Sequence, residues 1–392
     1  GLFIHWGLYA LPARHEWVKS REEIGDQAYQ VYFDHFNPTR YDPAQWARTA
    51  RDAGMKYAVI TTKHHEGFCL WDTQRTDYKV TNTPYGKDLI GPFVEAFRAE
   101  GLRIGFYYSL IDWHHPDFTI DVHHPLRNRP NVEELNQGRD MARYAAYVHD
   151  QIGELLSDFG RIAVLFCDFS YPDRAYQGLP GKGRDDWKSE QLVALIRELQ
   201  PDIMLNNRLD LPQAADFYTP EQIQPPSWPR VDGEPVVWET CQTFSGSWGY
   251  HRDEATWKSP GQLIRMLVNT VSCGGNLLMN VGPTALGTWD QRALDALGVY
   301  RDWMALHADS IYGCTQSAYT APQDCRLTQQ VDGNKLYVHV FAWPFKHLLL
   351  EGLAERVEYA RLLHDGSEVL TSASEWHARQ LQTGADTLVL EL

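Results

Sequence analysis

Residues 42–66 read DPAQWARTARDAGMKYAVITTKHHE, and this stretch decides the fold. Asp42 and Pro43 make an N-cap and a first-turn proline, and Gly54 is suited to close a helix as its C′ residue. Between them Trp46, Ala47, Ala50 and Ala53 fall on one helical face. Tyr57–Thr61 then runs as a short apolar and β-branched strand, followed at once by His64-His65-Glu66. A helix, a buried strand and a polar cluster at the strand's end form the repeating unit of a parallel sheet.

The unit recurs along the first three quarters of the chain. Further strands are predicted at Leu2–Trp6, Arg103–Ser109, Ile162–Cys167, Ile203–Asn206, Val236–Trp238 and Asn276–Val281. Helical spacing predicts helices at Asp88–Gly101, Gln137–Phe159, Ser189–Leu199, Pro260–Val271 and Gln291–Ala308. A closed barrel and a doubly wound sheet both fit such alternation. No GxGxxG follows the first strand and no P-loop occurs, which weakens dinucleotide and nucleotide readings. Polar residues gather just after the strands, as a barrel requires. The expectation is an α/β fold: a (β/α)8-like, TIM-type barrel, regular or irregular, over residues 1–312.

Beyond Gly313 the pattern becomes all-β. Leu336–Phe341, His347–Leu350, Val357–Leu362 and Thr387–Leu392 read as short strands, with a turn at Asp365-Gly366. Residues 313–392 are expected to form a C-terminal antiparallel β-sandwich domain with an accessory role.

The chain has 392 residues, 43% hydrophobic and 22% charged, in the range of a soluble globular protein of two domains. A formal net charge of -15 argues against nucleic acid or an anionic membrane as partner, and no apolar run is long enough to cross a bilayer. The six cysteines form no CxxC pair and no compact framework, so neither a zinc module nor a disulfide scaffold is indicated. The chain opens on GLFIHWG, which reads as the middle of a strand. That predicts a natural start further upstream, and leaves the compartment, cytoplasmic or secreted/periplasmic, open. Homo-oligomerisation is equally open.

The strand ends carry the chemistry. His5 and Trp6 follow the first strand, with His15-Glu16-Trp17 in its loop; His64, His65 and Glu66 follow the second. Tyr107 and Tyr108 end the third, with Trp113-His114-His115 beyond. Asp168 ends the fourth, Asn206-Asn207-Arg208 the fifth, Glu239 the sixth and Asn280 the seventh. Each taken alone has an ordinary structural reading. Convergence of seven strand ends on one barrel mouth is hard to explain by packing. The two HH pairs suggest a metal-dependent sugar or amide hydrolase, but no HxH or HExxH spacing supports a ligand set. Histidines and asparagines with Trp, Tyr, Arg and carboxylates suit a hexose ring better, since each hydroxyl needs a donor and an acceptor. Glycoside hydrolysis then needs two carboxyl groups, roughly 5–5.5 Å apart for retention.

GLFIHWG, ARHEWV, KHHEGF over Lys63–Phe68, NNRLD, WETC with SWGY, and CGGNLLMNVGP together resemble the α-L-fucosidases of glycoside hydrolase family 29. The resemblance runs from Gly1 to about Tyr312. It implies a cofactor-free and metal-free retaining enzyme that removes terminal fucose from oligosaccharides or glycoconjugates. A non-catalytic fucose-binding protein is the alternative from another class. The family's nucleophile matches Asp168; its fucose pocket matches His5, Glu16, Trp17, His64, His65, Tyr107, Arg208 and Trp248. Many members read Trp-x-Asp-Gly at the nucleophile, whereas this chain reads Phe166-Cys167-Asp168-Phe169. The acid/base lies on a variable loop; Glu221 is favoured, with Glu239 and Glu254 as alternatives. Linkage and aglycone preference would depend on the loops Pro172–Arg184 and Leu211–Asp232, and the segment Thr243–Asp253 also borders the pocket.

Overall fold

The computed structural model describes residues 1–332, 334–373 and 386–392. The chain forms two compact units. The first comprises Gly1–Gln222, Cys241–Lys258 and Leu278–Leu297; the second comprises Ile223–Thr240, Ser259–Leu277 and Gly298–Leu392.

The 42–66 stretch folds as its sequence dictates. The Asp42 side chain accepts from Gln45 N at 2.9 Å, Pro43 opens the helix Pro43–Asp52, and Gly54 takes the left-handed φ of +84° that ends it. Trp46, Ala47 and Ala50 are buried, with Trp46 packed on Trp6 and stacked on Trp289.

Seven strands form the main sheet: β1 (Leu2–Ile4), β2 (Tyr57–Lys63), β3 (Arg103–Ser109), β4 (Val164–Asp168), β5 (Met204–Leu205), β6 (Glu239–Thr243) and β7 (Asn276–Val281). Their order is β5-β4-β3-β2-β1-β7-β6, and every pair from β5 through β1 to β7 is parallel. The result is a curled, parallel half-barrel. The gap beyond β5 is spanned by a segment with single parallel bridges at each end, Asn206↔Phe217 and Glu221↔Cys241. Its core of Phe3, Val59, Tyr107, Phe166, Cys241 and Leu278 takes one residue from each of six strands. Side chains therefore fill the interior, and chemistry is confined to the strand ends.

One predicted strand is displaced. Val236–Trp238 is not a strand; β6 starts at Glu239 and ends at Thr243. The β-branched pair Val236-Val237 precedes the paired segment instead of lying within it. A short hairpin, Arg230–Val231 with Glu234–Pro235, occupies the chain just before it.

In the second unit, Ser259 and Gln262 form a capping box at the start of the helix Pro260–Ser272. Two antiparallel sheets follow. One pairs β8 (Cys314–Gln316), β9 (Cys325–Gln330) and β10 (Leu336–Val340) in that order. The other orders β11 (His347–Leu350), β12 (Leu370–Ala373) and β13 (Leu388–Glu391) as β11-β13-β12. Cys325, Leu348, Leu350, Leu353, Leu388 and Leu390 share one core drawn from both sheets. Val357–Leu362 is not a strand: around the Asp365-Gly366 turn only one bridge forms, Arg361↔Glu368. All six cysteines are free thiols. Among the described residues, no helix is long and apolar enough to cross a membrane.

Candidate active site

Asp168 is the last residue of β4, and the buried run Leu165-Phe166-Cys167 carries it to the C-terminal end of the sheet. Tyr107 at the end of β3 donates its hydroxyl to Asp168 Oδ2 at 2.7 Å; Arg208 Nη1 donates to Oδ1 at 2.6 Å. Burial, and then the Asp168 charge, push the Tyr107 hydroxyl well above its usual range, so it stays a donor. Arg208 is held by its Nε on Thr219 Oγ1 at 3.0 Å, and Asn207 accepts from Thr219 N at 3.1 Å. The same Arg208 Nη1 also donates to Glu221 Oε2 at 2.9 Å. One guanidinium nitrogen thus touches both carboxylates. The Asp168 side chain is 10% exposed and that of Glu221 43%, so one carboxylate is dry and the other faces water.

The histidines beside them are neutral and oriented. His5 Nδ1 meets Asn280 Oδ1 at 2.6 Å, and Asn280 Nδ2 donates to Trp248 O at 2.6 Å. That second bond fixes the amide's orientation, so His5 must donate from Nδ1 and keeps Nε2 as an acceptor. Burial pushes His5 down to about 3. The same logic holds at His65: Ser109 spends its proton on Ile111 O, so its oxygen accepts from His65 Nδ1 at 2.6 Å. Burial lowers His64 and His65 well below the usual histidine range, with neighbouring histidine rings adding to the effect. His64 stacks near Tyr107, lies 4.0 Å from the His65 ring, and its buried Nδ1 has no hydrogen-bond partner among the described residues. A buried polar atom of that kind fits a ligand group.

Glu16 is buried, and its Oε2 accepts from Gly249 N at 2.8 Å and Ser247 Oγ at 3.4 Å. It therefore anchors the loop that carries Trp248, and burial raises its carboxyl above the usual value. Trp248 is half-buried, 5.1 Å from the His5 ring. Trp17 lies 4.9 Å from His65 and 5.3 Å from Phe169.

Phe169 stands where the Trp-x-Asp-Gly pattern has glycine. Its φ is +79°, the left-handed region that suits glycine. A bulky residue there stores about 1–3 kcal/mol of strain and persists only if its surroundings hold it. Rings of Trp17, His65, His123 and Tyr171 surround it.

His5, Glu16, Trp17, His64, His65, Tyr107, Asp168, Arg208, Glu221 and Trp248 are linked by these contacts. The other carboxylate candidates behave differently. Glu239 is buried, but it begins β6, the end of a parallel strand opposite to the one that carries chemistry. Glu254 Oε1 is taken by Thr256 N and Oγ1, which close a local turn. Glu66 receives Leu8 N at 2.8 Å and the Tyr29 hydroxyl at 2.9 Å, and burial raises it to about 8. His114 and His115 have their backbone N–H groups capped by Asp112 Oδ1, which makes them loop structure. Among the described residues no three His, Cys, Asp or Glu groups converge with metal-holding geometry. Asn280 stands among the strand-end residues that the sequence singles out, whereas Ser109, Thr219 and His123 have no such signal as site residues. Of these three only Ser109, the last residue of β3, has a strand-end place that could flag it.

Residues 1–309 match the family model for α-L-fucosidase. The chain belongs to that family, and so to the glycoside hydrolases. It is similar to the solved α-L-fucosidase isoenzyme 1 from Paenibacillus thiaminolyticus, 47% identical with a TM-score of 0.92, covering 100% of this chain and 92% of that one. It is also similar to a family 29 α-L-fucosidase from Bacteroides thetaiotaomicron, solved as a trapped covalent intermediate with 2-fluoro-fucosyl fluoride (27% identity, TM-score 0.84, 100% and 90% covered). Human plasma α-L-fucosidase is 27% identical over 90% of this chain and 76% of its own.

Proposed function

We propose that this chain is a retaining, exo-acting α-L-fucosidase that releases terminal α-L-fucosyl residues from oligosaccharides or glycoconjugates. Asp168 attacks the anomeric carbon while Glu221 gives its proton to the departing glycosidic oxygen, leaving a β-linked fucosyl-enzyme ester. Glu221 then takes a proton from water, whose oxygen attacks the same carbon and frees Asp168. The observation that carries this reading is the guanidinium nitrogen shared by the two carboxylates at 2.6 and 2.9 Å. Their nearest oxygens are no further apart than those two contacts laid end to end. That suits the roughly 5–5.5 Å of a retaining pair and not the roughly 6.5–9.5 Å of an inverting one. The trapped covalent intermediate of the Bacteroides relative supports the same course.

His5, His64 and His65, being neutral, accept or donate to ring hydroxyls, and Trp248 covers the C5 methyl. Arg208 and Tyr107 hold the nucleophile in one rotamer, which keeps its attack geometry near the reactive one. We read the segment 217–221 as the strand that completes a closed barrel, and residues 313–392 as an accessory β-sandwich whose two sheets share the core around Leu348 and Leu388.

The test is hydrolysis of an aryl α-L-fucoside by wild type, Asp168→Ala, Glu221→Ala and Glu239→Ala, with and without azide. The expected result is an almost inactive Asp168→Ala rescued to the β-fucosyl azide, and a Glu221→Ala rescued to the α-azide. An α-azide from Glu239→Ala instead would transfer the acid/base role to Glu239. An inert wild type would remove the fucosidase reading.

A further inference from the structure

We propose that Phe169 closes the glycone pocket on the side of Trp17 and His65, so that the enzyme admits only a fucosyl ring whose hydroxyl groups on that side are unsubstituted. This rests on the fucosidase reading above.

Phe169 directly follows Asp168 and adopts a backbone conformation that glycine would take without strain. The chain nevertheless carries a benzyl group there. Its ring lies 4.9 Å from His65, edge-on, and 5.3 Å from Trp17, two residues of the proposed glycone pocket, of which His65 is a hydroxyl partner. On its other side the ring meets His123 at 5.1 Å and Tyr171 at 5.7 Å. Trp17, Phe169 and His123 are all half-buried, so this wall keeps an accessible edge.

The segment that carries this wall is anchored on both sides of Phe169. Tyr171 hydrogen-bonds through its hydroxyl to Asp121, and Asp121 forms an ion pair with Lys182 at 3.1 Å, the two side chains being 0% and 1% exposed. Tyr171 N donates to Lys182 O at 2.7 Å, which ties together the two ends of the loop between them. Ser170 is fixed as well: its hydroxyl donates to Arg208 O at 2.7 Å and accepts from Trp187 Nε1 at 3.0 Å. Both neighbours of Phe169 are thereby anchored, Asp168 by Arg208 and Tyr107, Ser170 by these two bonds.

A sugar hydroxyl given to the acceptor Nε2 of His65 brings the adjoining ring position towards Phe169. A hydroxyl fits beside an aromatic edge; an alkyl or glycosyl group on that oxygen needs the volume the benzyl group fills. Glycine at 169 would release that volume and the strain together.

The experiment compares wild type, Phe169→Gly, Phe169→Ala and Phe169→Leu on an aryl α-L-fucoside and on its 2-O-methyl, 3-O-methyl and 4-O-methyl derivatives. Each enzyme's kcat/KM for a methylated substrate is divided by its own value for the unsubstituted one. For the glycine and alanine variants one or two of the three ratios should rise about tenfold or more over wild type, the scale of relieving a clash with a single methyl group. Phe169→Leu, which keeps most of the bulk, should stay near the wild-type ratios. Unchanged ratios for all three derivatives in both small variants would overturn the proposal while leaving the fucosidase reading intact. A wild type inert on the unsubstituted substrate would overturn both.

Discussion

Lys63 precedes the His64-His65 pair, and its removal should be costly for a reason that can be worked through. Its ammonium is completely buried, 3.2 Å from Asp112 Oδ2, whose side chain is 2% exposed. It also lies 4.4 Å over the Tyr108 ring and 5.1 Å over that of Tyr147. Burial alone would raise the Asp112 carboxyl; Lys63, helped by His115 and His114, holds it below its usual value. A depressed folded value gives stability that is present above the unfolded value and is lost as pH falls through the folded one. Lys63→Met keeps most of the volume but strands a buried carboxylate, a change worth about 3–5 kcal/mol. Asp112 retains two N–H donors, from His114 and His115, at 3.0 and 2.9 Å, which points to the lower part of that range. At about 2–4 °C per kcal/mol for a large domain, the melting temperature should fall by on the order of 10 °C. Lys63→Met/Asp112→Asn removes the charge and leaves an amide oxygen for both N–H groups, so most of the loss should return. Thermal melts of the two variants decide the matter. A double variant no more stable than Lys63→Met would refute the reasoning, because the penalty would then lie in lost packing and not in the stranded charge.

Three further outcomes are expected. Asn280→Leu frees the His5 ring to take the other tautomer, and kcat/KM for an aryl fucoside should fall about tenfold or more, the scale of one lost buried hydrogen bond; an unchanged kcat/KM would contradict the role given to Asn280. Glu66, raised to about 8 by burial, binds a proton in the folded state that the unfolded chain has lost. Its contribution is therefore fully present below the unfolded value and is lost as pH rises to about 8, by about 1.4 kcal/mol per pH unit. Urea titrations should show Glu66→Gln with a flatter decline than wild type between pH 6 and 8, and parallel declines would contradict the assignment. In Gly7→Ala the new Cβ would stand 2.3 Å from Glu66 Oε1 and 2.7 Å from the Tyr9 ring. The crowding should cost about 1–3 kcal/mol, seen as a lower urea midpoint, and an unchanged midpoint would mean that the Glu66 carboxyl moves aside freely.

The helix Ser189–Leu199 and the strands Arg103–Ser109 and Asn276–Val281 follow from sequence to the residue, because apolar spacing and capping are local properties. Glu239 shows the limit. A β-branched run locates a strand but not the residue at which pairing begins, and moving the start by three residues turned a strand end into a strand beginning. Val357–Leu362 shows the same limit in the second unit, where an apolar run found one bridging partner and no ladder.

The sequence by itself determined the alternation of helix and strand, the positions of Asp168, Arg208 and the histidines just past strand ends, and the family motifs. All of these are encoded within a few consecutive residues. Only the tertiary structure decided that one Arg208 nitrogen bridges two carboxylates, that Asn280 and Ser109 set the His5 and His65 tautomers, that Glu16 holds the Trp248 loop, and that Phe169 sits at a glycine's φ. All but the last of those facts depend on distances between residues tens to hundreds of positions apart, and the Phe169 φ is held by rings brought in from such distances. Such distances are set by strand order and register, which no local pattern specifies.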